Sequence, residues 1–175
     1  MSHDDELTSK INAEYLVDSI FRIKNDNKGD SANLRRANNP STQHYAWPIM
    51  VRLGFSLKNE KNNAIIPLVA SSIANEKATL NGTVPFAKIF GVLAKESPSL
   101  ENRFSRMINA TNAIELCGLL GANIKLVQSK SEGAGIDYIS LTKDLINFDF
   151  KRDAIRAKWS EQFFRSIHPY EAKKD

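Results

Sequence analysis

Apolar residues recur every three or four positions along most of this chain, and alternation with a period of two is hard to find. Because that spacing puts apolar side chains on one face of an α-helix, it predicts helices and no strands. In the first predicted helix, residues 9–25, the apolar face is formed by Leu16, Ile20 and Ile23. The break after it is predicted at Lys28-Gly29-Asp30, which places a helix-breaking glycine between two charged residues.

Proline, glycine and capping residues divide the rest of the chain into further helices. Proline is tolerated in the first turn, which favours helices that begin near Trp47-Pro48, near Pro67 and at Ser97-Pro98. Gly118 and Gly121, inside an almost wholly apolar helix, are expected to let neighbouring helices approach closely. The later helices are predicted at residues 31–37, 47–53, 63–77, 85–94, 97–109, 112–128, 137–147 and 149–166. The pattern therefore predicts an all-α fold of about eight to nine helices.

The composition of the connecting segments predicts two small helical-bundle lobes. The polar, acidic start and the charged end, residues 1–9 and 168–175, are expected to be disordered. The Gly- and Ser-containing stretch 129–135 is predicted to be a flexible loop between the lobes. The N-terminal lobe is then residues 10–128, and the C-terminal helices occupy residues 136–167.

Composition and cysteine content exclude several classes of protein. No apolar run approaches the roughly 18–20 residues of a membrane span, and the polar start is not a secretory signal. Cys117 is the only cysteine, so no internal disulfide and no cysteine zinc cluster is available. These features predict a cytoplasmic protein that does not contact membranes. The net charge of +4 is mildly basic, and residues 88–175 carry fourteen Lys and Arg against eleven Asp and Glu.

The sequence contains no convincing catalytic, metal or cofactor site. His3, His44 and His168 do not occur at the i, i+4 spacing of a zinc-hydrolase helix. Cys117 lies among leucines, where a small core residue is the favoured interpretation over a nucleophile. Gly133-Ala134-Gly135 lacks the spacing of a nucleotide-binding loop. We therefore expect no enzyme, no metal and no cofactor.

The lysines and arginines say more about function, because several of them lie at the edges of the apolar faces of predicted helices. Arg35 and Arg36 end a short helix, and Arg103 and Arg106 are i, i+3 neighbours. Guanidinium groups bind phosphates through two parallel hydrogen bonds, so cations at the rim of a packing face suit a nucleic-acid backbone. In the last helix the candidates are Lys151, Arg152, Arg156 and Lys158; Lys151, Lys158 and Arg165 are spaced by seven.

A plainer interpretation exists for each of these features. The arginines can pair with Asp30, Glu101, Asp149 and Asp153 on a solvated surface, and charge alone favours that interpretation. Trp47, Trp159 and Phe163 can stack on bases, but their helical spacing favours core packing.

The order of several short segments resembles the CasB family, the small subunit of the type I-E CRISPR surveillance complex (Cascade). Each segment is weakly specific alone, whereas their order over about residues 10–166 is fairly specific. One departure is Gly118-Leu119-Leu120-Gly121, where relatives often carry arginine; Lys125 is the nearby candidate to replace it. The segments are Leu34-Arg35-Arg36, Trp47–Phe55 with its Gly54-Phe55 pair, 68–74, 85–90, 101–110 with Arg103-Phe104, 137–145 and 158–164.

The resemblance implies an all-α, non-catalytic subunit. Such subunits pair as homodimers along the guide RNA, contact other Cascade subunits and hold the displaced single-stranded DNA through a basic surface. The resemblance carries over Arg35, Arg36 and Arg103 as phosphate contacts, whereas the remaining candidates come from the helical wheel. Two alternatives remain open: a protein–protein adaptor with basic faces, and a helix-turn-helix regulator that prefers a particular duplex site.

Overall fold

The computed structural model describes residues 10–131 and 135–168, and these residues form eight α-helices with short connections. The all-α fold is confirmed; the one β-type contact in this part of the chain is an isolated parallel bridge between Val84 and Ile136. A 3-10 turn, Gln43–Tyr45, precedes the third helix. The helices are α1 Ala13–Asp26, α2 Lys28–Arg35, α3 Trp47–Arg52, α4 Glu60–Ala74, α5 Phe86–Glu96, α6 Ser99–Ile108, α7 Ala113–Lys130 and α8 Tyr138–Ile167.

Asparagine and aspartate side chains set where five of these helices begin. Each accepts a hydrogen bond from a backbone N–H of the first turn, which would otherwise have no partner. The predicted break between the first two helices exists but lies at Asn27 and not at Lys28-Gly29-Asp30, because Asn27 accepts from the N–H of Asp30 and Gly29 thus lies inside the first turn of α2. The capping residues are Asn12, Asn27, Asn59, Asn112 and Asp137.

Two further boundaries differ from the prediction. Helix α4 begins at Glu60, so Pro67 lies in the helix interior and not in the first turn, which leaves the carbonyl of Asn63 without its usual donor. The last two predicted helices meet at a kink inside α8: its two helical segments join at Lys151, whose backbone is non-helical (φ −125°, ψ 30°), so their boundary lies at residue 151 and not at residue 148. The N-terminal residues 1–9, part of the predicted loop (132–134) and the tail 169–175 lie outside the described residues.

A continuous apolar core joins helices from both predicted lobes. Helix α4 is buried along most of its length, and it packs against α7 and α1. Its N-terminal end lies near the start of α7, while Gln128 near the end of α7 donates to the carbonyl of Ser72 (2.8 Å), so the two helices run parallel. Helix α5 packs along α8, and Phe104 of α6 stacks on Phe163 of α8 with ring centres 3.9 Å apart. The division into lobes at residues 129–135 stays a prediction.

Candidate nucleic-acid interface

Three of the predicted arginines converge on the turn between α6 and α7. Arg152 donates to the carbonyl of Thr111 (2.8 Å), and Arg156 donates to the side chain of Asn109 (3.0 Å). Arg106 lies one turn before Asn109 on α6 and lines a shallow pocket of about 300 Å³ at the same place. We call Arg106, Arg152 and Arg156 the turn cluster.

The turn is rigid because both of its sides are hydrogen bonded. Glu115 accepts from the N–H and the hydroxyl of Thr111 (2.7 and 2.6 Å), and these bonds lower the pKa of the carboxyl. From α8, Asp149 accepts from the N–H of Ala113 (2.7 Å) just before the kink at Lys151. This bond fixes α8 to the start of α7, so the residues after the kink face the turn.

The three carboxylates around the turn cluster offset its charge to different degrees. Glu115 lines the same pocket as Arg106 and keeps its negative charge, because the Thr111 groups that donate to it are neutral, whereas Asp149 pairs with Lys61 at 3.3 Å. Asp153, 3.7 Å from Arg156, has a side chain that is 94% exposed, so its attraction is weak in water. An arginine has five N–H donors, and each of these contacts uses only one or two. The turn cluster therefore keeps donors free for an anion.

Arg103 and Lys151 flank the turn cluster without joining it. Both are exposed, and neither has an acidic partner among residues 10–131 and 135–168. Arg103 precedes Arg106 by about one turn of α6 and is exposed, whereas its neighbour Phe104 is buried. The helical row Lys151–Lys158–Arg165 is interrupted at its first member, because Lys151 leaves the helical conformation.

Arg35 and Arg36 lie at the end of α2 and have structural contacts. The Nε of Arg35 donates to the carbonyl of Ala74 (3.2 Å) at the end of α4, where cations suit the unpaired carbonyls. The guanidinium of Arg36 lies 5.5 Å from the ring centre of Tyr45. The alternative in which these arginines pair with Asp30 is wrong, since Asp30 accepts from Arg52 (2.5 Å).

The segment after α2 meets α7 near the middle of that helix. Asn38, just after Arg36, lies against Gly121, where a Cβ would be only 2.9 Å from the Asn38 amide nitrogen. The close neighbour at Gly121 is thus a side chain of the loop after α2 and not the backbone of another helix. The close approach expected at Gly118 is wrong, because a Cβ there would meet nothing within 4 Å. Lys125 is exposed on the same helix and has no ion-pair partner in the described part of the chain.

Lys158 lies on another side of the molecule. It pairs with Asp144 (2.5 Å), whose other oxygen accepts from the indole N–H of Trp159 (2.7 Å). Lys158 also lines a groove of about 560 Å³ between α5 and α8, together with Lys88, Lys95 and Arg165. Sequence reasoning did not select Lys88 and Lys95, although their spacing of seven places them on one face of α5 opposite the similarly spaced Lys158 and Arg165.

The described residues contain few groups that could take part in catalysis or hold a metal ion. Burial raises the pKa of Cys117 to about 12, so its thiol stays protonated and unreactive near neutral pH, as expected for a core residue. In residues 10–131 and 135–168 no three His, Cys, Asp or Glu side chains are grouped so that they could hold a metal ion. In the same residues no helix is both long and apolar enough to cross a membrane.

The fold and this surface define an all-α protein with separate groups of exposed cations. The family model of the CRISPR-associated protein Cse2 matches residues 30–164, so the chain belongs to the Cse2 family of CRISPR-associated proteins. The family expected from the order of the sequence segments is thereby confirmed. Among curated proteins, none matches this chain in sequence.

Two solved structures share the fold, and both come from Thermus thermophilus. One is TTHB189, a CRISPR-associated protein of the Cse2 family, with 20% identity and a TM-score of 0.65. The other is CasB, with 20% identity and a TM-score of 0.63. Each similarity covers 89% of this chain and 99% of the other chain. At this level of identity the likeness shows the fold alone.

Proposed function

We propose that this chain is a non-catalytic small subunit of a CRISPR RNA-guided surveillance complex. It binds the backbone of displaced single-stranded DNA or of the guide RNA, contacts other Cascade subunits as a homodimer, and stabilises the target-bound complex in the cytoplasm. The observation that carries the proposal is the turn cluster, in which Arg152 and Arg156 bind one rigid turn and Arg106 lines the pocket beside it.

The proposed path follows the exposed side of α7. Helix α7 has 18 residues, which at 1.5 Å per residue extend about 27 Å. The turn cluster lies at its first end, and Arg36 with the Asn38 segment lies further along it. A single strand that follows α7 would meet Arg103, Lys125 and Lys151 beside this line, so several phosphates would be neutralised without reading bases.

Lys158 and Arg35 take a smaller part in this proposal than the sequence implied. Lys158 shares its charge with Asp144, and Arg35 is held at the end of α4. An arginine that caps a helix still carries its charge, so Arg35 contributes to the local positive field although its Nε is occupied.

The experiment removes the turn cluster and measures salt dependence. In the full chain, assembled with its neighbouring subunits where the isolated chain binds weakly, R106A/R152A/R156A is titrated with a single-stranded oligonucleotide at several salt concentrations. Because each lost phosphate contact on a single strand lowers the salt slope by about 0.7, the slope should fall by about 2 units, equally for different sequences.

The matched control removes three cations from other surfaces, R22A/K88A/K95A. It should leave the slope within about half a unit of the parent value, since these residues lie outside the proposed path. An equal loss in both variants would mean that only net charge matters, and the site would be wrong. Binding that is strong but indifferent to salt would favour the protein–protein adaptor, and a strong preference for one duplex sequence would favour the helix-turn-helix regulator.

A further inference from the structure

The segment after α2 presents three aromatic rings at the surface. The rings of His44 and Tyr45 lie 4.2 Å apart, and His44 lies 6.3 Å from Trp47. Tyr45 is 46% exposed and Trp47 is 42% exposed, so the expectation that Trp47 packs in the core is wrong. We call His44, Tyr45 and Trp47 the aromatic platform.

The residues beneath the platform hold it in place. Ala46 is fully buried, and its carbonyl accepts from the N–H groups of Ile49 and Met50, both at 3.1 Å and both on buried residues. Pro48 follows Trp47 in the first turn of α3 and restricts the backbone there. The exposed rings are thus mounted on a rigid, packed segment, and a ligand that binds them need not order a loop.

A cation without an acidic partner borders the platform. The Arg36 guanidinium lies over the Tyr45 ring, 5.5 Å from its centre, and no carboxylate among the described residues pairs with it. The indole N–H of Trp47 likewise donates to no described residue. Exposed aromatic rings beside a positive charge match a nucleotide, which has a planar base and an anionic phosphate. A protein partner would have to supply an aromatic or apolar group and a separate carboxylate.

We infer that the aromatic platform stacks on unpaired bases of a single strand while Arg36 binds the adjoining phosphate. This inference rests on the proposed function and adds a second kind of contact to it. The turn cluster neutralises the backbone, whereas the platform binds the π-faces that every base has, so it favours unpaired over duplex strands without selecting a sequence. Duplex bases are already stacked and cannot reach the rings.

The test separates bases from phosphates with two strands of equal length, oligo(dT) and the same backbone made of abasic sites. The full chain, within the assembled complex if needed, is compared with Y45A/W47A. Loss of base stacking should weaken binding of oligo(dT) by about 5- to 100-fold and leave binding of the abasic strand unchanged. L80A is the matched control, because Leu80 is an exposed apolar residue (75%) on another surface, and it should bind both strands like the parent.

The other outcomes are equally decisive. If Y45A/W47A binds oligo(dT) as well as the parent, the platform inference is wrong, while the turn-cluster experiment still decides the proposed function on its own. If Y45A/W47A weakens both strands equally, the rings do not contact bases. If it instead releases the chain from its neighbouring subunits with strand affinity intact, the platform is a protein interface.

Discussion

The two tryptophans of this chain lie in contrasting surroundings. Trp159 is 4% exposed, its indole N–H donates to Asp144, and its ring lies 6.1 Å from that of Phe86. Trp47 is 42% exposed and has only the edge contact with His44 among ring contacts in the described residues. One tryptophan completes the core between α5 and α8, and the other lies on the side of a short helix that no element of the described residues covers.

The difference shows that an aromatic side chain at helical spacing is buried only where another helix packs against it. Helix α8 can bury Trp159 and Phe163 because α5 approaches it closely at Gly91, where a Cβ would lie 2.5 Å from the carbonyl oxygen of Phe163. Helix α3 has six residues and buries only Ile49 and Met50. Its other side, with Trp47 and Val51, remains at the surface.

The largest expected effect is at the buried tryptophan. Trp159→Ala should lower the free energy of unfolding by about 3–5 kcal/mol, because it leaves a cavity and removes a hydrogen-bond donor from Asp144. Urea unfolding followed by circular dichroism measures the change. A loss below about 1 kcal/mol would mean that this region does not carry the stability assigned to it.

The close approach of α5 and α8 gives a second test. Gly91→Ala should cost about 1–3 kcal/mol, since the new Cβ meets backbone atoms of Phe163 that cannot move aside. Gly118→Ala is the matched control, because the same change at an open helical position should be neutral or stabilising by up to about 1 kcal/mol. Thermal unfolding of both variants decides it, and equal effects would contradict the close packing at Gly91.

A substitution of Asp144, which accepts a hydrogen bond from the buried Trp159, is expected to have a smaller effect on stability. Asp144→Asn keeps an oxygen that can accept from Trp159 but removes the charge that pairs with the half-exposed Lys158. We expect a loss of about 1 kcal/mol in unfolding free energy. The same substitution in a Lys158→Met background should then cost clearly less, and an unchanged cost would show that the ion pair contributes nothing.

Most of the fold could be predicted from local patterns, because helix starts depend on nearby residues. The cap at Asn112 and the first turn at Trp47-Pro48 are both readable in the sequence. The errors at Gly29 and Pro67 have one cause: each residue is a boundary signal when taken alone, but the capping side chains of Asn27 and Asn59 set the helix start before it. A capping side chain therefore determines where a helix begins more strongly than a single glycine or proline does.

The site was less predictable, because its geometry comes from contacts distant in sequence. The pattern could identify Arg106, Arg152 and Arg156 as cations beside apolar faces, but not that two of them reach the turn at residues 109–111. It could not show that Arg35 binds the carbonyl of Ala74, 39 residues away. Nor could it show that Trp47 lacks a covering element.

The smallest change in stability is expected at the exposed tryptophan, Trp47. Trp47→Ala should change the unfolding free energy by about 0.5 kcal/mol or less, as is usual for substitutions at the surface. Urea unfolding measures it beside Trp159→Ala, and a loss above about 2 kcal/mol would show that Trp47 belongs to the core after all. If the small effect is found, the fold does not need a large aromatic side chain at this position. A ring that contributes little to folding yet is held on a rigid turn beside Arg36 is then best explained by what it binds.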